Sequence, residues 1–271
     1  MTAVTPAVHD ARLGLRATAG QAAALARRSI VRIMRQPQVI VPNLFFPTFF
    51  LVINNASVGK AAGLPGFPGD RYLPFALAGT VLQAVMLSST SAGSEVALDI
   101  ESGFFERMLA SPVSRLAILL GQLAGVAVFG ALLALFFAAV IAPFDAVMKA
   151  GIGGYVVLVI SAVFLAVTFG GFALALGIRT GSVEATQGAF PLYFVAIFIS
   201  SAFFPVALMT PWYRHLAGNN PVTFMIDGIR DLTLEPFSWA AAANAIGVSF
   251  GAALVAVLVA FAALNARLAQ R

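Results

Sequence analysis

Residues 152–178 read IGGYVVLVISAVFLAVTFGGFALALGI, without one charged side chain. As an α-helix such a run is about 40 Å long, more than the ~30 Å hydrocarbon core of a bilayer. Five further charge-free segments lie outward from it, at 116–142, 186–209, 73–94, 38–58 and 239–263. Each is near or above the ~20 residues that a helix needs to span lipid. The pattern predicts an all-α integral membrane protein with six transmembrane helices and both termini on one side.

Composition agrees. Hydrophobic residues make up 60% of the 271-residue chain and charged residues 10%, where soluble domains carry about 25% charged residues. Mean hydropathy is +0.94. There is no cysteine, which excludes disulfides and thiolate metal sites. The two histidines, His9 and His215, are expected on opposite sides of the membrane, so no metal site is expected. The first apolar run begins near Val39 with no small-residue cleavage site after it, so the first span is expected to be retained. A single membrane domain over 1–271 is expected, with no linker.

The net charge of +5 would suggest nucleic acid on a soluble protein. Here the positions of the charges give another reason. With the N-terminus inside, the inner side carries Arg12, Arg16, Arg27, Arg28, Arg32, Arg35, Arg107, Arg115, Arg179, Arg267 and Arg271. The outer side carries only Lys60, Arg71, Lys149, Arg214 and Arg230. That is the positive-inside bias, and it places both termini in the cytoplasm with no nucleic-acid partner needed. Within 16–35, Ala19, Ala22, Ala26, Ile30 and Ile33 recur at helical spacing, with Arg28, Arg32 and Arg35 on another face. This predicts an interfacial amphipathic helix, broken at Gln36-Pro37.

An energy source is missing. The only Gly-Lys pair, Gly59-Lys60, is followed by Ala61, so there is no P-loop. No predicted span holds a charge for ion coupling. Glu95 falls just past the second span and reads as a hydrated helix-end carboxylate. These absences point to a partner. The inner loop from Asp99 to Arg115 offers a contact: Phe104, Phe105, Met108 and Leu109 cluster on a short helix beside Glu106 and Arg107, and Pro112 would stop it. Two readings fit, an apolar knob for a groove on another protein or a helix lying flat on lipid headgroups.

The stretch Glu101-Ser102-Gly103, Glu106-Arg107-Met108-Leu109 and Ser111-Pro112-Val113-Ser114-Arg115 resembles the inner-loop signature of ABC-2 type transport permeases. Phe203-Phe204-Pro205, Met209-Thr210-Pro211-Trp212 and Asn220-Pro221-Val222-Thr223 through Gly228-Ile229-Arg230 are similar to that family's last outer loop. Pro37 to Phe50 resembles the start of its daunorubicin-resistance-like branch. The resemblance covers nearly the whole chain.

The resemblance implies a cytoplasmic coupling helix seated in a nucleotide-binding ATPase subunit, with Glu101, Phe104, Phe105, Glu106, Arg107, Met108 and Leu109 on it. It implies that the basic leader is an interfacial elbow helix. It implies short re-entrant outer helices over 211–234, carrying Asn220, Pro221, Asp227 and Arg230. It also implies a second permease chain, as homodimer or heterodimer, in the inner membrane of a bacterium. ATP and Mg would lie on the ATPase, and this chain would bind no cofactor and carry no catalytic residue.

The spans hold candidates for a substrate pathway. Gln83, Ser88 and Ser91 are polar groups in the second span, and Phe45, Phe49, Phe194, Phe198 and Phe204 are aromatic groups in the first and fifth. Each could line a path or simply pack between helices. Phe predominates over Tyr, which favours a hydrophobic or amphipathic substrate over a lipid-linked glycan. An ATP-independent carrier or channel is the remaining alternative. Gly247-Val248-Ser249-Phe250-Gly251 matches a hydrolase elbow, but it lies mid-span with no histidine at that depth. There, and at Gly121 and Gly125, small residues are expected to allow close helix packing.

Overall fold

A computed structural model describes residues 15–111, 113–144 and 147–269, so His9, Arg12, Pro112 and Arg271 lie outside the described residues. It is helical throughout, with no strand among the described residues. Five helices are long and apolar enough to cross a membrane: α2 (Pro37–Val58, extended by a 3-10 turn to Gly63), α3 (Tyr72–Glu101), α5 (Arg115–Ile141), α6 (Gly151–Thr180) and α11 (Trp239–Ala269). The short helices are α1 (Leu15–Met34), α4 (Phe104–Ala110), α7 (Val183–Gly188), α8 (Phe190–Phe198), α9 (Pro211–Gly218) and α10 (Pro221–Leu234).

The predicted fifth span, 186–209, is not one helix. It is divided into α7, α8, an irregular stretch after Phe198 and a 3-10 turn at Val206–Leu208. Pro191 opens α8, where its missing N–H costs nothing. Beyond Phe198 the backbone needs partners from outside the helix. It finds them: Asn220 Nδ2 donates to the carbonyl of Ala196 at 2.7 Å and also to that of Ile199. Tyr213 donates to Phe198, Arg230 to Ser201 at 2.7 Å and Tyr72 to Phe203 at 3.0 Å. Side chains from three other elements thus replace the helical ladder.

Helix α3 is the centre. Of its most apolar window 78% is buried, against 17% for α2 and 28% for α11. It packs on α6, α5, α2 and α10, while α11 covers the far side of α6. Glycine sets the closest crossing: a Cβ on Gly93 would meet the Ala173 carbonyl and Thr186, and one on Gly177 would meet the Gly93 carbonyl. Without a hydrophobic gradient between helix and lipid, such close packing is a main source of association.

Gly121 and Gly125 behave as expected. They let α1 lie directly on α5, with Leu25 and Ser29 in the space that a Cβ would take. The expectation for Gly247 and Gly251 fails, since nothing lies within 4 Å of a Cβ at either one. Of that motif Ser249 is fully buried, Val248 packs partly against the core and Phe250 meets the Phe164 ring at 5.3 Å. Helical periodicity alone does not tell which face of a fully apolar helix meets protein.

Candidate functional site

Helix α3 is about 45 Å long, more than a ~30 Å hydrocarbon layer needs, and its C-terminal third carries Glu95 and Asp99. The facing helix α1 carries Arg28 and Arg32. Both pairs are spaced i, i+4, so each lies on one helix face. They meet. Arg28 donates two parallel hydrogen bonds to Asp99, of 2.9 and 3.1 Å. Arg32 lies 3.4 Å from Asp99 and 3.9 Å from Glu95. Gln122 of α5 donates to Asp99 at 3.1 Å.

The basic face expected to meet solvent is therefore split. Arg28 and Arg32 turn toward α3, and Arg35, the third residue of that face, stays exposed. Glu95 is not a hydrated end group, being only 4% exposed. The matched i, i+4 spacing of the two pairs was the signal in the sequence. Their partnership spans 71 residues and needed the fold.

The predicted coupling helix forms as α4, opened by Gly103 in the left-handed region at φ 68°, a conformation glycine adopts without strain. Its apolar side is not an exposed knob. Phe105 is fully buried, Met108 nearly so, and Phe104 and Leu109 pack partly against the same core. The outward side carries Arg107 and Ala110, while Glu101, expected on this helix, is the exposed last residue of α3, because Ser102 and Gly103 break the chain between the two helices. The helix is held at both flanks. Arg28 lies over the Phe104 ring at 4.2 Å. Arg267 of α11 approaches Glu106 at 3.5 Å and donates to the Ile178 carbonyl at 2.8 Å.

Beside this cluster a cleft of about 450 Å³ opens between α2, α3 and α7–α8. Ser91 lines it, together with Thr90, Ser94, Glu95 and Arg32. The other predicted pathway residues are not gathered there. Ser88 is buried and donates to the Val85 carbonyl at 2.9 Å. Gln83 is buried against α8, its amide without a hydrogen-bond partner. Phe45 and Phe49 stack on each other at 5.9 Å and remain about half exposed on α2. Phe50 carries the contact with α8 instead, through Phe194 and Phe198, and also meets Phe203 in the stretch beyond it. Phe198 is exposed, and Phe204 is partly buried.

At the other end, two of the four predicted outer residues, Asp227 and Arg230, act together. Arg230 is 5% exposed. It pairs with Asp227 at 2.6 Å, donates to the Phe75 and Ser201 carbonyls and to the Ser201 hydroxyl, and lies 3.8 Å over the Phe75 ring. Burial pulls its guanidinium down to about 10, and Asp227 opposes the shift. Asn220 caps α10 by accepting from the Val222 N–H at 2.9 Å. Pro221 is the exposed first residue of that helix. Ser201, Thr223, Tyr72 and Phe75 complete the cluster; of these only Thr223 fell within a motif quoted from the sequence.

A family model described as "ABC-2 type transporter" matches residues 20–234. The chain is similar to proteins named "Putative transport permease ycf38". That of Cyanophora paradoxa is 25% identical over 83% of this chain and 78% of its own length. That of Porphyra purpurea is 24% identical over 84% of this chain and 78% of its own.

Proposed function

The chain belongs to the ABC-2 type transporter family, a family of membrane transport subunits, and from that premise we propose that it is the permease of an ATP-binding-cassette exporter. It moves a hydrophobic or amphipathic molecule outward across the cytoplasmic membrane of a bacterium, with both termini inside. A separate subunit binds ATP and Mg and supplies the energy, since this sequence has no P-loop. Two permease chains face each other, with the exposed phenylalanines of α2 and α8 toward the route between them.

The observation that carries this reading is the mounting of α4. It presents Arg107 outward, beside the exposed Glu101 at the end of α3, while Arg28 and Arg267 tie its flanks to α1 and α11. A partner that pushes on α4 thereby moves two other helices as well, which is what a rigid-body switch in access requires. The docking surface is polar, and the buried Phe105 and Met108 root it in the permease.

The test is co-expression with the P-loop ATPase encoded nearest to it, followed by reconstitution in liposomes. Permease-dependent ATP hydrolysis, lost on Arg107→Glu with folded protein retained, is the expected result. Transport under an ion gradient with no ATPase present would overturn the proposal in favour of a carrier.

A further inference from the structure

Helices α6 and α11 run in the same direction but are not equally close along their length. Toward their C-terminal halves the backbones touch, since a Cβ on Gly171 would meet the backbone of Ala256. Toward their starts an open groove of about 590 Å³ lies between them. Its walls run from Gly153 to Phe164 on α6 and from Trp239 to Phe250 on α11. At ~1.5 Å per residue each wall is about 16 Å long, close to half of a ~30 Å hydrocarbon core and so the depth of one leaflet.

The groove gives Gly247 a role that helix packing did not. Gly247 lines it, with open space where a Cβ would stand. Gly153 seats the Phe237 ring, which lies 2.8 Å from the place of its Cβ. At the mouth Trp239, 82% exposed, meets Phe237 edge to face at 5.1 Å. Exposed Trp at the start of a span is an anchor of the membrane–water boundary. At the deep end Phe164 and Phe250 meet edge to face at 5.3 Å.

Between these aromatic pairs, Val157, Ile160, Ala243 and Ile246 offer only hydrocarbon. An occupant with polar groups along its length would leave them unmet. A helix of another chain is ~10 Å wide and crosses both leaflets, and the Phe164–Phe250 pair stands in its way at mid-depth. The mouth, by contrast, carries charges of both signs. The N–H groups of Lys149 and Ala150 donate to the Thr233 and Leu232 carbonyls at 3.1 and 3.2 Å, which sets the end of α10 against the start of α6. Lys149 and Glu235, both exposed, therefore lie at the same end of the groove.

We propose that this groove holds one acyl chain of a zwitterionic phospholipid, phosphatidylethanolamine, with the phosphate toward Lys149 and the ammonium toward Glu235. A hydrocarbon tail one leaflet long under a head of paired charges is the complement of this lining. No residue of α2, α3 or α8 lines the groove, so the lipid is a resident one and not the cargo, and the proposal stands independently of the exporter reading.

The test is native mass spectrometry of the purified full chain in detergent. The probes are dipalmitoyl phosphatidylethanolamine, dipalmitoyl phosphatidylglycerol and dihexanoyl phosphatidylethanolamine. One dipalmitoyl phosphatidylethanolamine per chain, held about tenfold tighter than either analogue, is expected. Gly247→Leu fills the groove from a side where nothing packs and should weaken that binding about tenfold. Ala243→Leu, also exposed in the groove, should do the same and serves if Gly247→Leu fails to fold. Gly251→Leu, one turn further on and outside the lining, should leave binding as it is. Glu235→Gln should bring the two dipalmitoyl lipids within about threefold of each other. Undiminished binding in both Gly247→Leu and Ala243→Leu, an equal loss in Gly251→Leu, or either analogue held as tightly as dipalmitoyl phosphatidylethanolamine overturns the proposal.

Discussion

Arg28 and Asp99, 71 residues apart in the chain, are joined by two parallel hydrogen bonds of 2.9 and 3.1 Å. Asp99 is 4% exposed and also receives Arg32 and Gln122. A buried charge with its partners in place is tolerated, and one partner removed leaves the rest uncompensated. Asp99→Ala should therefore lower stability by about 3–5 kcal/mol, read as a fall in the thermal transition of the purified protein. Asp99→Glu should cost less. If Asp99→Ala melts like wild type, the ion-pair cluster does not hold α1 to α3.

The two sides of α4 should respond differently. Phe105→Asp or Met108→Asp puts a charge into the core and should abolish the monodisperse peak on fluorescence-detected gel filtration. Arg107→Glu on the exposed side of α4, and Glu101→Arg at the exposed end of α3, should leave that peak intact. Their effect should appear in capture of the ATPase. A soluble, well-folded Phe105→Asp protein would contradict the inward placement of this helix.

Asn220 does two jobs that one substitution separates. Its side-chain oxygen caps α10 and its Nδ2 donates to the carbonyls of Ala196 and Ile199. Asn220→Asp keeps the cap and loses the donors, so buried acceptors go unmet at about 1–3 kcal/mol. Asn220→Ala also removes the cap, worth about 1 kcal/mol more. The order wild type, Asp, Ala in melting temperature is expected, and an Asp variant as stable as wild type would show that the stretch after Phe198 does not need this residue.

Glycine positions give a contrast within one protein. Gly93→Ala would press a methyl group into the Ala173 backbone and Thr186, and overpacking of this kind costs about 1–3 kcal/mol. Gly247→Ala and Gly251→Ala meet nothing within 4 Å and remove a flexible residue from a helix, so they should be neutral or stabilising. Thermal melts of the three variants in one detergent decide the matter.

The sequence by itself determined the solvent of this protein and the place of its helices. Runs without charge, such as 152–178, leave no other fold available, because every backbone polar group in lipid must be paired within its own helix. It also marked α1, α4 and the outer segment around Asn220 and Arg230, through amphipathic spacing and through motifs shared with a known family. What it left open was direction: which face of α1 its arginines serve, which side of α4 is buried, and where the fifth apolar segment stops being helix. Those depend on partners remote in the chain, Asp99 for Arg28, Arg267 for Glu106, Asn220 and Arg230 for the carbonyls after Ala196. Local propensity is blind to them, because an ion pair or a borrowed carbonyl partner exists only once tertiary packing has brought its two halves together.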